Sequence, residues 1–228
     1  GNVTRMDSNS GLIGGIVGTN SGNLTLSAVR NFGNILGGNQ NVGGILGYNN
    51  NSTLLIEKSV NYGDVTSQNY VGGIVGYNLQ SPSRAVLSNV ANFGTISASV
   101  DGVGGLIGYV HKLSGGQTTI TYSYSAGTIA GVSNKGALFG RVDNNAITVN
   151  GTFYLTGSGL DALGSSVTVI GTPTEASITS MTSISTFTAA SWDIATDTSS
   201  IWAIGFNGDA TYPWLTVFEK PEAVQIDP

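Results

Sequence analysis

His111 is the only histidine in the sequence, so any Ser–His–Asp or imidazole-ligated chemistry must run through it. No G-x-S-x-G stretch accompanies it. It follows GLIGYV at a turn and reads as a solvated loop residue. The acids Asp7, Glu57, Asp64, Asp101, Asp143 and Asp161 are spread along the chain rather than clustered as metal ligands. Glu57 and Lys58 come near Arg30 and Arg84 only at unequal offsets within the repeat described below, which reads as surface ion pairing. GGNQNVGG (37–44) superficially resembles a phosphate loop, but no Lys-Ser/Thr and no helix follow it. A calcium β-roll needs G-G-x-G-x-D every nine residues, and the GG motifs here lack that Asp. Thr66 and Thr95 do not recur in register, as an ice-binding face would need. The most suggestive set is Tyr48, Tyr77 and Tyr109, at one position of successive repeats, with Asn49 and Asn78 directly after two of them. Tyrosine stacks on sugars and Asn hydrogen-bonds them, so these five are the candidate ligand-binding residues. The competing reading is that the tyrosines fill a corner of the fold. No cofactor and no metal is expected.

Whatever positions these residues is repetitive. LIGGIVGTN (12–20), VGGILGYNN (42–50), VGGIVGYNL (71–79), VGGLIGYVH (103–111) and a degenerate KGALFGRVD (135–143) share one pattern. Their first glycines, Gly14, Gly43, Gly72, Gly104 and Gly136, are 29, 29, 32 and 32 residues apart. A second motif lies between them: VRNFGNI (29–35), SVNYGDV (59–65), VANFGTI (90–96) and YSYSAGTI (122–129). Two motifs locked to one period near 30 mark a solenoid, propeller or array. No segment has ten Gly-free residues of helical period, which excludes helical solenoids. A four-stranded propeller blade needs about 40–45 residues. The reading is therefore all-β: a single-stranded parallel β-helix of about 30 residues per coil, right-handed by the general preference of parallel crossovers.

In such a fold equal positions stack. Phe32, Tyr62 and Phe93 predict an aromatic stack inside, Ile35, Val65, Ile96 and Ile129 an aliphatic layer, and Asn31, Asn61, Asn92 and Ser125 an amide ladder. The GG segment is apolar on both sides at Ile45/Leu46, Ile74/Val75 and Leu106/Ile107. That predicts a strand covered on both faces or an exposed apolar stripe. Residues 1–145 are read as repeats and 146–218 as an irregular last coil with a cap over the solenoid end. The cap is rich in tryptophan, with Trp192, Trp202 and Trp214, and 219–228 is read as a linker.

Composition bounds the partners. Charged residues are only 9 % and hydrophobic ones 40 %, which excludes a disordered chain. Net charge is −5 with scattered Lys and Arg, which argues against nucleic acid. Cysteine is absent, so disulfides are excluded and the redox compartment stays open. No apolar run is long enough to span a membrane.

VGGI[VL]GYN followed by V-x-N-[FY]-G-x-[IV] resembles the GLUG motif of bacterial surface and secreted proteins, over four good copies and one weak one within 12–143. The ending W-D-I … I-W-A-I … Y-P-W-L resembles the unit that often closes such arrays. The resemblance implies an extracellular, bacterial cell-surface setting and a non-enzymatic, adhesin-like module. Such a module would bind host or matrix glycan or protein, or act as a stalk, next to further domains of the same polypeptide. The alternatives are an accessory domain of a large secreted protease and a carbohydrate-active β-helix enzyme. The family supplies no catalytic residues. The fifth copy departs most, with Ala137 in place of the second Gly.

Overall fold

The computed structural model describes residues 1–4, 11–143, 146–156, 159–205 and 210–220. Asp7 and most of the expected 219–228 linker lie outside these. The chain is a parallel β-solenoid of about five turns. The third coil shows the plan: Val65–Gly72 lies in a first sheet, Val75–Gln80 in a second and Arg84–Asn92 in a third. Each strand pairs in parallel with its counterparts one repeat away on either side. Alternate residues of a strand face opposite ways, so one inward residue per coil repeats into a column.

The aliphatic column is present as expected, with Val65 opposite Ile35 and Ile96, and Ile96 opposite Ile129. The main core lies between the second and third sheets. Ile45, Leu46, Ile74, Val75, Leu106 and Ile107 pack there on Leu54, Ile56, Ala85, Leu87 and Ile120. A smaller cluster gathers Ile35, Val65 and Ile96 with Val42, Val71 and Val103.

The GG segment is not one strand, which corrects the two-faced reading. Val42–Gly43 ends a strand of the first sheet, and Leu46–Asn50 begins one of the second. The chain turns between them, so both Ile45 and Leu46 reach the interior. The second glycine of each pair makes this turn possible. A Cβ on Gly44 would lie 2.1 Å from the Gly73 oxygen and 2.4 Å from Cγ of Asn61. Gly73 is held the same way between the Gly105 oxygen and Asn92, and Gly15 between the Gly44 oxygen and Asn31. The glycine of one motif therefore abuts the asparagine of the other inside the same coil. That contact is why the two motifs keep one period. In the fifth copy the ladder position is held by Tyr154, opposite Ser125, and the glycine position by Ala137.

The asparagines form the expected ladder, fully inside. Nδ2 of Asn31 donates to Oδ1 of Asn61 at 2.8 Å, and Nδ2 of Asn61 to Oδ1 of Asn92 at 2.8 Å. Asn92 then points at the Ser125 hydroxyl, 3.5 Å away. Each amide also donates to the carbonyl two residues on, at Gly33, Gly63 and Gly94.

The aromatic stack forms but faces out, a second correction. Phe32 and Tyr62 lie 4.8 Å apart at 8°, and Tyr62 and Phe93 5.3 Å apart at 9°. Phe32 is 59 % exposed. Its neighbour Asn31 takes the inward position, and alternation sends the ring to the flank.

The tryptophan-rich cap lies along that flank rather than across the open end. Val60, Ala91, Tyr124 and Phe153 form an outward apolar row, and Met181, Phe187, Trp192, Ile194, Trp202 and Leu215 cover it. Trp202 Nε1 donates to Asn89 Oδ1 at 2.8 Å and Trp192 Nε1 to the Gly151 oxygen at 2.9 Å. The Tyr124 hydroxyl donates to the Pro213 carbonyl. Farther down, the Arg30 guanidinium sits 4.2 Å from the Phe218 ring. Arg30 is therefore engaged with rings, and Glu57 accepts from the Ser27 hydroxyl at 2.9 Å. The last coil is completed by isolated parallel bridges, Phe139 to Leu163 and Thr148 to Ile170, and by Thr174–Ala176 against Ile147–Leu155.

Candidate functional site

The second sheet carries Tyr48, Tyr77 and Tyr109 in direct register, with Thr19 before them and Arg141 after. They lie on the face opposite Asn49 and Asn78. Tyr48 and Tyr77 stand 5.1 Å apart and Tyr77 and Tyr109 4.9 Å apart, the latter pair at 10°. Tyr70, at the bend of the first sheet with φ 51°, swings across to meet Tyr77 at 5.4 Å and Tyr109 at 5.0 Å. Tyr77 and Tyr109 thus spend their faces on neighbouring rings, and Tyr48 turns one face to Tyr77. The Arg141 guanidinium takes a position over the Tyr109 ring, 4.9 Å from its centroid. What the row offers outward is ring edges and hydroxyl oxygens, the Tyr48 proton being donated to Asn50 Oδ1 at 3.1 Å.

Asn49 and Asn78 do not join this face, which corrects their assignment as ligand hydrogen-bonders. Both are fully buried on the opposite side of the strand. Asn20 Nδ2 donates to Asn49 Oδ1 at 2.7 Å, Asn49 Nδ2 to Asn78 Oδ1 at 2.9 Å, and Asn78 Nδ2 to Thr118 Oγ1 at 2.8 Å. A second amide ladder therefore backs the tyrosine row, and its polar groups are already used.

His111 is placed differently from the solvated loop residue expected. It is the penultimate residue of the strand Ile107–Lys112 and stacks on Tyr109 at 5.3 Å and 6°. Its Nδ1 lies 2.6 Å from the Tyr77 hydroxyl, and its Nε2 lies 3.6 Å from Oδ2 of Asp143. With the proton on Nε2, the Tyr77 hydroxyl donates to Nδ1 and the imidazole faces the carboxylate. The backbone N–H of Lys112 donates to Oδ2 of Asp143 at 3.1 Å, and the Tyr109 hydroxyl reaches Oδ1 at 3.4 Å. Arg141 stands 3.6 Å from Asp101, which also accepts from Asn134 at 2.6 Å.

Burial pushes the Tyr109 hydroxyl up to about 12, with Asp143 adding to the effect by charge and hydrogen bond and Arg141 opposing it. Burial, then the neighbouring tyrosines and Asp143, raises Tyr77 further. Both phenols stay neutral donors at any physiological pH. Chemically the patch is a row of neutral phenol edges ending in an imidazole, two carboxylates and a guanidinium. Among the described residues no three His, Asp or Glu side chains converge as a metal site, and no helix is long and apolar enough to cross a membrane.

Sequence reasoning found the tyrosine column, passed over Tyr70 and Arg141 as site residues, and read His111 as a loop residue and Asp101 and Asp143 as scattered acids. The signal available was the column itself, since Arg141 and Asp143 occupy the tyrosine and His111 positions one repeat on. No family model, no curated protein and no solved structure matches the chain.

Proposed function

We propose that the chain is a non-enzymatic, adhesin-like module of a bacterial cell-surface protein, a rigid β-solenoid that presents its tyrosine row to a host or matrix glycan or protein. One observation carries this reading. Tyr48, Tyr70, Tyr77, Tyr109, His111 and Arg141 gather on one face, held by mutual stacking and backed by a buried amide ladder. Pre-ordered Tyr and Arg side chains are the groups that anchor interfaces, because little side-chain entropy remains to be lost on binding. Tyr77 and Tyr109 are flanked by neighbouring rings and the hydroxyl protons are already donated within the face, so the partner meets ring edges, hydroxyl lone pairs and the exposed Arg141 guanidinium. That favours hydrogen bonding over sugar stacking. The GLUG-like motifs support the extracellular bacterial setting and the presence of further domains in the same polypeptide. Serving as a stalk, or as the accessory domain of a large secreted protease, needs the same rigidity without the face.

The line Tyr77–His111–Asp143 favours one second reading, a carbohydrate-active β-helix enzyme. Against it stands the direction of the Tyr77 shift, since a nucleophilic phenol needs a lowered pKa. The test is binding of the intact chain to immobilised matrix proteins and glycans, with turnover followed on the same polysaccharides. Saturable binding that falls at least tenfold in Tyr48→Ala and Arg141→Ala is expected. Turnover abolished by His111→Ala overturns the proposal in favour of the enzyme. Absence of binding leaves the stalk or accessory domain and removes the adhesin, and binding that neither substitution affects removes the tyrosine face as its site.

A further inference from the structure

We propose that the pocket at the seam between the solenoid and its tryptophan-rich cover binds one acidic sugar unit, a hexuronate, with Lys58 on the carboxylate. This site is separate from the tyrosine face and does not depend on it. In the third sheet each coil bends at one residue of positive φ: Ala28, Lys58, Asn89, Tyr122 and Gly151. The cover meets this column from the fifth coil down. Trp192 Nε1 donates to the Gly151 oxygen and its ring lies edge-on to Tyr122, and Trp202 Nε1 donates to Asn89. At Lys58, in the second coil, the cover stands off and leaves a cavity of about 350 Å³. That is the low end of small-molecule sites and suits a ligand of one ring.

Three strand ends of the cover build the pocket. Ile194–Ala195 pairs in parallel with Trp202–Ala203, which pairs antiparallel with Trp214–Leu215. Asp193 and Ile201 stand just before the first two strands and Thr216 just after the third, and all three line the cavity with Lys58. The backbone there is already satisfied, since the N–H of Trp202 donates to the Asp193 oxygen and that of Thr216 to the Ile201 oxygen, both at 3.0 Å. The Thr216 hydroxyl donates to the Ser200 oxygen at 2.6 Å, which leaves its lone pairs for a ligand. Thr198 and Ser199 form the exposed rim. Their turn is held by Asp197, whose Oδ1 accepts from the Ser199 N–H at 2.9 Å.

The lining selects the ligand. Lys58 is half-buried and, among the described residues, forms no ion pair, although Asp193 lines the same cavity. A partly desolvated ammonium is best satisfied by an anion that accepts a hydrogen bond from it. The hydroxyls of Thr198, Ser199, Ser200 and Thr216 pair with the hydroxyls of a polyol. The Asp193 carboxylate accepts hydroxyl protons and repels a second negative charge, which disfavours a phosphate ester. No aromatic ring lines the cavity, so recognition is by hydrogen bonds and not by stacking. One negative charge, several hydroxyls and one ring together describe a uronate. A free uronate and the uronate ending a glycan carry the same groups.

The test is titration of the intact chain with glucuronate, glucose, acetate and sulfate, followed by backbone amide shifts and calorimetry. Glucuronate is expected to bind saturably, with shifts gathered at Lys58, Ser199, Ser200 and Thr216, and each of the other three to bind at least about tenfold more weakly, the scale of a hydrogen bond to a charged group. Lys58→Asn removes the cation and suits the bend, because Asn89 holds the same position one coil on. It is expected to weaken glucuronate by about tenfold or more while the melting point stays within about 3 °C. The ranking of the four ligands on the unmodified chain is read independently of any variant. Within the proposal, a glucuronate-ended oligosaccharide that binds tighter than the monosaccharide marks a glycan end, and one that binds more weakly marks the free sugar. Glucose, acetate or sulfate binding as well as glucuronate overturns the proposal, as does the absence of saturable binding or an affinity that Lys58→Asn leaves unchanged. Shifts gathered at Tyr48 and Tyr77 instead would place the sugar on the tyrosine face and overturn it too.

Discussion

Asn61→Ala is the substitution on which the internal ladder depends most. The Asn61 amide donates to the Gly63 carbonyl at 2.7 Å and to Asn92 Oδ1 at 2.8 Å, and it accepts from Asn31 at 2.8 Å. The side chain has no exposed surface. Alanine removes all three bonds and leaves the Gly63 and Asn92 oxygens facing a dry interior. Stranding a buried acceptor costs about 1–3 kcal/mol, so two of them put the loss at about 4 kcal/mol. For a chain of this size that is roughly 8–16 °C in Tm. Asn61→Ser is expected to fall between alanine and wild type, because Ser125 occupies the same column one coil past Asn92. Gln68→Ala, on an exposed position of the neighbouring strand, is the control and is expected to stay within about 0.5 kcal/mol. Urea and thermal melts followed by circular dichroism read all three. If Asn61→Ala costs under about 1 kcal/mol, the ladder is ornamental and the reasoning is refuted.

Other expectations follow from the same contacts. Gly44→Ala is expected to destabilise by about 3 kcal/mol or more, since its Cβ would meet a backbone oxygen at 2.1 Å, while Gly22→Ala, with open space around it, stays near neutral in the same melts. Trp202→Phe deletes the bond to Asn89 and is expected to cost about 1–3 kcal/mol and to speed limited proteolysis within 192–218. Unchanged proteolysis would mean that the flank cover is held by other contacts. Raised phenol pKa values mean that the folded state keeps protons the unfolded chain gives up. Stability from Tyr109 is therefore full below about pH 10 and lost as pH rises toward about 12. Melts between pH 9 and 12 are expected to decline, and Tyr109→Phe to flatten part of the decline.

The period of the fold was legible because stacking makes equal positions repeat. The aliphatic column and the asparagine ladder could be written from spacing alone. The direction of each column was not. Phe32, Tyr62 and Phe93 look like core by composition, yet Asn31, Asn61 and Asn92 displace them, because the asparagines abut Gly15, Gly44 and Gly73 across a narrow interior. Nothing in one motif reveals a close approach to the other. The GG turn misled for a related reason, since two consecutive apolar residues read as a two-faced strand until the chain is seen to bend between them. At the candidate site Tyr48, Tyr77 and Tyr109 were legible as a column. Tyr70 was not, because Asn41, Gly102 and Asn134 stand in the same bend of the other coils and share only a positive φ with it. His111 meets Tyr77 and Asp143 across separate coils, a pairing that register supplies and local sequence does not. The path of the tryptophan-rich segment along the flank depends on the row Val60, Ala91, Tyr124 and Phe153, four side chains without a common type.

The interlock of the glycine and asparagine motifs at one period is tested most directly by excising one repeat. Removing residues 44–72 joins Gly43 to Gly73, restores VGGIVG and brings Asn31 and Phe32 onto Asn92 and Phe93. A β-rich circular dichroism spectrum with a single cooperative melt is predicted for this deletion, and loss of cooperativity for a deletion of half that length. An excised chain that fails to fold, or a half-length deletion that melts like the parent, would contradict the account.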